Sequence, residues 1–118
     1  MTEVPDNLDR PLAALANRHR REIVGMLALH PHSISRLAHL RGLSLPAINK
    51  HVRVLEEAGL VQRRKVGRTT YLVLRQAPIL RLQAWLGEFH AYWGADDASL
   101  EDYEHYLATD PQAEKETP

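Results

Sequence analysis

The 118-residue sequence contains no cysteine. That excludes disulfides, thiolate metal sites and cysteine nucleophiles, and it agrees with an expected cytoplasmic location, where thiols stay reduced. No stretch approaches the roughly 18 apolar residues that a membrane span requires. The opening residues, MTEVPDNLDRP, lack the apolar core of a secretion signal. A soluble, intracellular protein is the expectation. A chain of this length fits one domain and buries roughly two thirds of its unfolded surface, so neither metal nor disulfide is needed for folding.

Net charge is also missing, with 15 basic against 15 acidic residues. The distribution is uneven. Residues 1–43 carry six Lys/Arg and four Asp/Glu, net +2; residues 44–75 carry seven and two, net +5; residues 76–118 carry two and nine, net −7. Screening over about 10 Å keeps a distant acidic segment from cancelling a local basic surface. The middle third therefore has the charge that attracts phosphates.

That basic third begins inside the most informative stretch, SISRLAHLRGLSLPAINKHVRVLEEAGL, Ser33 to Leu60. It reads as two helices joined by a tight turn at Arg41-Gly42-Leu43. Ser33 caps the first, whose Ile34, Leu37 and Leu40 face a core. Gly42 supplies the positive φ of the turn. Ser44 caps the second, and Pro46 is tolerated in its first turn. At 100° per residue, Ile48, Val52, Leu55 and Ala58 fall on one face, flanked by Ala47, His51 and Val54. Leu45, Pro46, Asn49, Lys50 and Arg53 fall on the other. One face suits a small core and the other a DNA groove, which recognition helices read with their N-terminal residues. Gly59 closes the helix.

Around this pair the pattern continues. Leu8, Leu12 and Leu15 have helical spacing, and Asn17 can cap a helix over Arg18–Leu29 with Ile23, Val24, Met26 and Leu27 inward. Arg18, Arg20 and Arg21 crowd its first turn, where the helix dipole disfavours cations. Two explanations stand open: a solvated basic face, or phosphate contacts. His30-Pro31-His32 ends the helix. After Leu60, the runs Leu60–Val66 and Thr69–Leu74 are strands joined by Gly67-Arg68, which suits a type II′ turn. This hairpin is a wing carrying Arg63, Arg64, Lys65, Arg68 and Thr69 at or beside its tip. Ser35 and Arg36 are further candidates for the DNA backbone. The fold class is mainly α with a two-stranded wing: a winged helix-turn-helix of five to six helices.

Pro78 is expected to start a long helix reaching about Gly94. Ile79, Leu82, Leu86, Phe89 and Trp93 form its stripe, with Leu80, Trp85 and Tyr92 beside it. So apolar a helix is rarely left against water. Part of the stripe can cover the domain itself; the excess, together with Leu8 and Leu12, is assigned to a homodimer that reads two half-sites. Ser99 can cap an acidic helix over Leu100–Ala108. The expected layout is a disordered segment over 1–7, a DNA-binding and dimerisation domain over 8–95, an acidic helix packed on the dimer region over 96–109, and a disordered tail over 110–118.

The segments LANRHRREIVGML, ISRLAHLRGLSLPAINKHVRVLEEAGLV and RRKVGRTTYLVL resemble the ArsR/SmtB family of bacterial winged-helix repressors. The resemblance covers Leu15 to about Trp93. It implies a homodimer held by the first and long late helices, repression by occupying a (pseudo)palindromic operator, the fourth helix in the major groove and the wing on the backbone or minor groove. It assigns base contacts to Ser44, Leu45, Asn49, Lys50 and Arg53, and leaves His51 as a packing or a phosphate residue. Many family members sense metals through a Cys-x-Cys pair; the matching positions here are Ser33 and Ser35, so that thiol site is absent. A zinc site of His90, His105 and neighbouring carboxylates on the late helices is the metal-responsive alternative, resting on one histidine per helix. No cofactor is expected, and any small-molecule effector is unidentified.

Two other classes compete. An enzyme would need an organised constellation, and the seven histidines and the carboxylates form no Ser-His-Asp spacing, glycine-rich phosphate loop or paired-carboxylate motif. A winged helix that binds proteins rather than DNA would have little need for both the Asn49/Lys50/Arg53 face and the Arg63 to Arg68 wing.

Overall fold

A computed structural model describes residues 6–89 and 98–109. After a 3-10 turn at Asp6–Leu8 come α1 (Asp9–Leu15), α2 (Arg18–Leu29), β1 (His32–Ser33), α3 (Ile34–Arg41), α4 (Leu45–Glu57), β2 (Val61–Val66), β3 (Thr69–Leu74), α5 (Gln76–Leu86) and α6 (Ala98–Thr109). The chain divides into two compact units, Met1–Trp85 and Leu86–Pro118. The first holds α1 to α4 and the sheet; the second holds α6.

Local chemistry sets the helix ends of the first unit. The Asn17 side chain accepts from the Arg20 N–H at the start of α2. Ser33 and Ser44 do the same for Arg36 and Ala47 at the starts of α3 and α4. Each satisfies one amide that the helix itself leaves without a partner. Between α3 and α4, Gly42 sits at φ 64° and sends its N–H back to the carbonyls of Ala38 and His39. That left-handed step is what turns the chain into α4.

Ile48, Val52 and Leu55 of α4 are fully buried, with Ile23 and Leu27 of α2, Leu37 and Ala38 of α3, Leu60, Val61 of β2 and Leu72 of β3. The expected apolar face of α4 is thus the centre of the core. In α3 the expectation needs one correction. Leu40 is 44% exposed and Ala38 takes an inward position instead, because the eight-residue helix turns its Leu37–Ala38 side to α4 and leaves its last turn at the surface.

The sheet has three strands rather than the expected two, in the order β1-β3-β2, antiparallel throughout. The added strand is two residues long: His32 pairs with Leu72, and Ser33 with Tyr71. The wing hairpin agrees with the reading of its turn. Val66 pairs with Thr69 across two residues, Gly67 takes φ 63°, and Arg68 is not in the positive-φ region. A positive φ at the first turn residue alone fits type II′.

The late helices differ from expectation at their ends. α5 begins at Gln76, before Pro78, and stops at Leu86 ahead of a turn at Gly87-Glu88. It therefore does not run on to Gly94, and Trp93 and His90 lie outside the described residues. α6 begins at Ala98, so Ser99 falls inside it rather than capping it. Among the described residues, no helix is long and apolar enough to cross a membrane.

Candidate nucleic-acid interface

The face of α4 opposite its core residues carries the groups that sequence spacing put there. Leu45 is 52% exposed. Ser44, Pro46, Lys50 and Arg53 are exposed and Asn49 is half-buried. The base of this helix is rigid, since three consecutive inward turns, at Ile48, Val52 and Leu55, are anchored in the core.

The hairpin brings a second set of cations alongside. Arg63, Arg64, Lys65, Arg68 and Thr69 are all exposed. Side chains alternate across a strand. Val61, Arg63 and Lys65 therefore share the face of Leu72 and Leu74, while Arg64 lies on the opposite face with Tyr71. This placement explains a contact that sequence reading missed. Arg63, on the helix side of the sheet, reaches Glu56 of α4, Nε to Oε1 2.8 Å.

Three elements meet at a hollow of about 300 Å³ lined by Ser33, Ser35, Leu45, Arg68, Thr69 and Thr70. The start of α3, the start of α4 and the tip of the hairpin thus converge, joining the expected residues Ser35, Leu45, Arg68 and Thr69. Ser33 Oγ lies 3.4 Å from Ser35 Oγ. Arg36 is exposed on α3 beside this hollow in sequence.

The arginines of α2 have a role that the sequence did not offer, although Arg18 and Arg21 are exposed, as the solvated-face explanation has it. Arg20 Nε donates to the carbonyl of Ala14 at 2.6 Å, and Arg21 Nη1 to that of Leu15 at 2.9 Å. Both carbonyls close α1, where the helix leaves acceptors unpaired and carries partial negative charge. The cations unfavourable to their own helix start are thus favourable to the preceding helix end. Arg18 pairs with Glu22 one turn on, Nε to Oε1 3.3 Å.

His51, left open as a packing or a phosphate residue, is half-buried and lies against α2. Its Nδ1 lies 3.5 Å from Arg20 Nη1, and its ring centroid 5.4 Å from that of His19. Burial, then the charges of Arg20, His19 and Lys50, hold its pKa below the ordinary histidine value. His19 accepts from Arg41 Nη2 at 3.1 Å, and Arg41 also pairs with Glu22. His19, Glu22 and Arg41 were not singled out from sequence. No short-range pattern marks a contact between residues 22 positions apart.

The residues expected at a dimer interface fall into two groups. Leu8 and Leu82 are 1% and 5% exposed in the single chain, so their apolar area is already covered and is not offered to a second copy. Leu12 and Ile79 are half-buried. Leu86 and Phe89 are 56% and 52% exposed, and Leu80 is 56% exposed. His105 is exposed on α6, and no group of three or more metal-ligating side chains occurs among the described residues.

A helix pair with a two-faced second helix, flanked by a basic hairpin on a three-stranded sheet, defines a winged helix-turn-helix DNA-binding domain. Comparison with known proteins agrees. The family described as "Helix-turn-helix domain" matches residues 15–64. The HTH-type transcriptional regulator Rv2034 of Mycobacterium tuberculosis is 36% identical over 81 residues, covering 69% of this chain and 76% of that protein. A solved ArsR family transcriptional regulator superposes with a TM-score of 0.66 at 33% identity, over 75% of this chain and 91% of that one. The homodimeric winged helix-turn-helix DNA-binding domain of a Mycobacterium bovis protein, a possible ArsR-family regulator, gives a TM-score of 0.60 at 26% identity, over 74% and 87%. The chain belongs to the ArsR family of transcriptional regulators. It is a regulator rather than an enzyme.

Proposed function

We propose that this regulator is a homodimeric repressor that occupies a (pseudo)palindromic operator in double-stranded DNA. In this reading the N-terminal half of α4 lies in the major groove, with Ser44, Leu45, Pro46, Asn49, Lys50 and Arg53 toward it. Asn49 and Arg53 can make paired hydrogen bonds to purine edges, and Lys50 can donate to guanine. Arg64, Lys65, Arg68 and Thr69 meet the backbone or the minor groove, and Ser35 and Arg36 meet phosphates. These contacts fix register, while base contacts carry sequence.

The observation that carries the proposal is the convergence of α3, α4 and the hairpin tip on one hollow, with exposed cations on both flanks. A domain that bound only proteins would not need cations on the helix and the hairpin together. The dimer rests on the exposed Leu80, Leu86 and Phe89 and on the homodimeric state of the M. bovis domain. Repression follows if an operator overlapping a promoter is closed to polymerase.

A gel-shift titration against duplexes from the protein's own promoter region tests the reading. The expected result is preference over random duplex and affinity falling steeply with salt, as counterions released from phosphates require. Equal binding to random duplex would contradict sequence-specific regulation.

A further inference from the structure

We propose that His51, packed beside His19, forms an acid-released clasp holding the recognition helix α4 against α2 and α3. Each histidine is paired with an arginine from another helix or turn of the cluster. Arg41 Nη2 of α3 lies 3.1 Å from His19 Nδ1 of α2, and Arg20 Nη1 of α2 lies 3.5 Å from His51 Nδ1 of α4. A guanidinium can only donate hydrogen bonds. Each Nδ1 is therefore the accepting atom, and at His51, where burial and Arg20 disfavour the charged form, this leaves the neutral ring with its proton on Nε2. The rings themselves are 5.4 Å apart, so the two pairs form one cluster.

The arginines are not free to turn away. Arg20 is tied to the carbonyls of Ala14 and Ala13 at the end of α1, at 2.6 and 3.5 Å. Arg41 is paired with Glu22. Protonation of His51 would set N–H against N–H. It would also add positive charge to a site that already holds Arg20, Arg41 and Lys50. The one carboxylate in the cluster, Glu22, is engaged by Arg41 and by Arg18. From α1, Arg10 lines a groove with Arg20 and Glu57, and this adds a cation on one side and an acid at the far end of α4. From β2, Arg63 meets α4 only at Glu56.

The sign follows from the His51 pKa, held low by burial first and then by Arg20, His19 and Lys50. The open or unfolded chain takes up a proton as pH falls through 6.5, and the clasped chain does not. The clasp is thus fully in force above that pH and is progressively lost below it. Its consequence for DNA rests on the proposed function. Added positive charge helps every duplex alike, whereas a loosened α4 harms only the duplex it reads. Acid should lower the ratio of specific to random binding.

The clasp itself is tested on the full chain without DNA. Histidine ring resonances followed by NMR from about pH 8 to about pH 5 should show the His51 midpoint below 6.5, with a higher midpoint in Arg20→Gln. Melting temperature should fall over the same range in the wild type and fall less in His51→Gln, whose amide oxygen still accepts from Arg20. A His51 midpoint at or above 6.5, or His51→Gln melting with the pH slope of the wild type, would overturn the clasp. With a selected duplex, the wild-type ratio of specific to random affinity should drop on acidification. A constant ratio would refute the coupling to DNA. Absence of any preferred duplex even at about pH 8 would instead refute the proposed function, with the clasp still decided by NMR and melting.

Discussion

Glu56, in the last turn of the recognition helix, accepts a hydrogen bond from Arg63, in the first half of the wing's leading strand, at 2.8 Å. The pair links the two elements proposed to meet DNA. Its side chains are 30% and 36% exposed, so it is screened and contributes at most about 1 kcal/mol to stability. Its larger effect is on charge. Arg63 is part-neutralised within the protein, while Arg64 and Arg68 are not in any ion pair among the described residues. Arg63→Ala should therefore weaken DNA binding less than Arg64→Ala or Arg68→Ala. Salt titrations of the three variants check this: the slope of log affinity against log salt should shrink by about one unit for Arg64→Ala and by less for Arg63→Ala.

Asn49 and Arg64 should differ in kind. Asn49→Ala removes a base contact and should cost roughly 1–3 kcal/mol on the preferred duplex with little change on random DNA. Arg64→Ala removes a phosphate contact and should weaken both alike. Competition binding with the two duplexes distinguishes them. Equal loss on both duplexes for Asn49→Ala would mean that α4 does not read bases.

Ser44 has a structural duty beside its place at the groove, since its Oγ accepts from the Ala47 N–H at 3.3 Å. Ser44→Ala should cost about 1 kcal/mol of stability, and Ser44→Asp should restore most of it. Denaturant unfolding of the three proteins measures the effect.

Leu82 and Leu86 lie one helical turn apart on α5 and should respond in opposite ways. Leu82 is buried within the chain, so Leu82→Ala should cost about 2–5 kcal/mol in unfolding. Leu86 is 56% exposed, so Leu86→Asp should leave the chain folded and separate the proposed dimer. Sedimentation equilibrium reads the second outcome, and an unchanged mass would remove Leu86 from the interface.

The parts of the fold that were legible in the sequence are those fixed by contacts a few residues apart. Asn17, Ser33 and Ser44 cap the helices that follow them, Gly42 and Gly67 take the positive φ their turns need, and Ile48, Val52 and Leu55 repeat at helical spacing. What was missed depends on partners distant in sequence or on the backbone. β1 has only two residues, too few to show an alternating pattern, and exists because β3 is there to pair with it. Arg20 and Arg21 bind carbonyls six residues earlier, and a carbonyl leaves no mark in the side-chain pattern. His51 lies on the flank of the helical projection, where packing was one of its two readings, but its partners His19 and Arg20 sit on another helix. At α5 the apolar spacing continues past Leu86 to Phe89, yet the helix stops ahead of the Gly87-Glu88 turn.

Reading of DNA sequence by α4 from both halves of a two-fold dimer is tested most directly by selection with the purified full chain from a random duplex pool, followed by sequencing. The expected result is enrichment of an inverted repeat whose half-site centres lie about one helical turn, roughly 10 base pairs, or a multiple of it apart. Asn49→Ala should lose that enrichment. A pool that emerges without a shared sequence, or with the same sequence for Asn49→Ala, would contradict it.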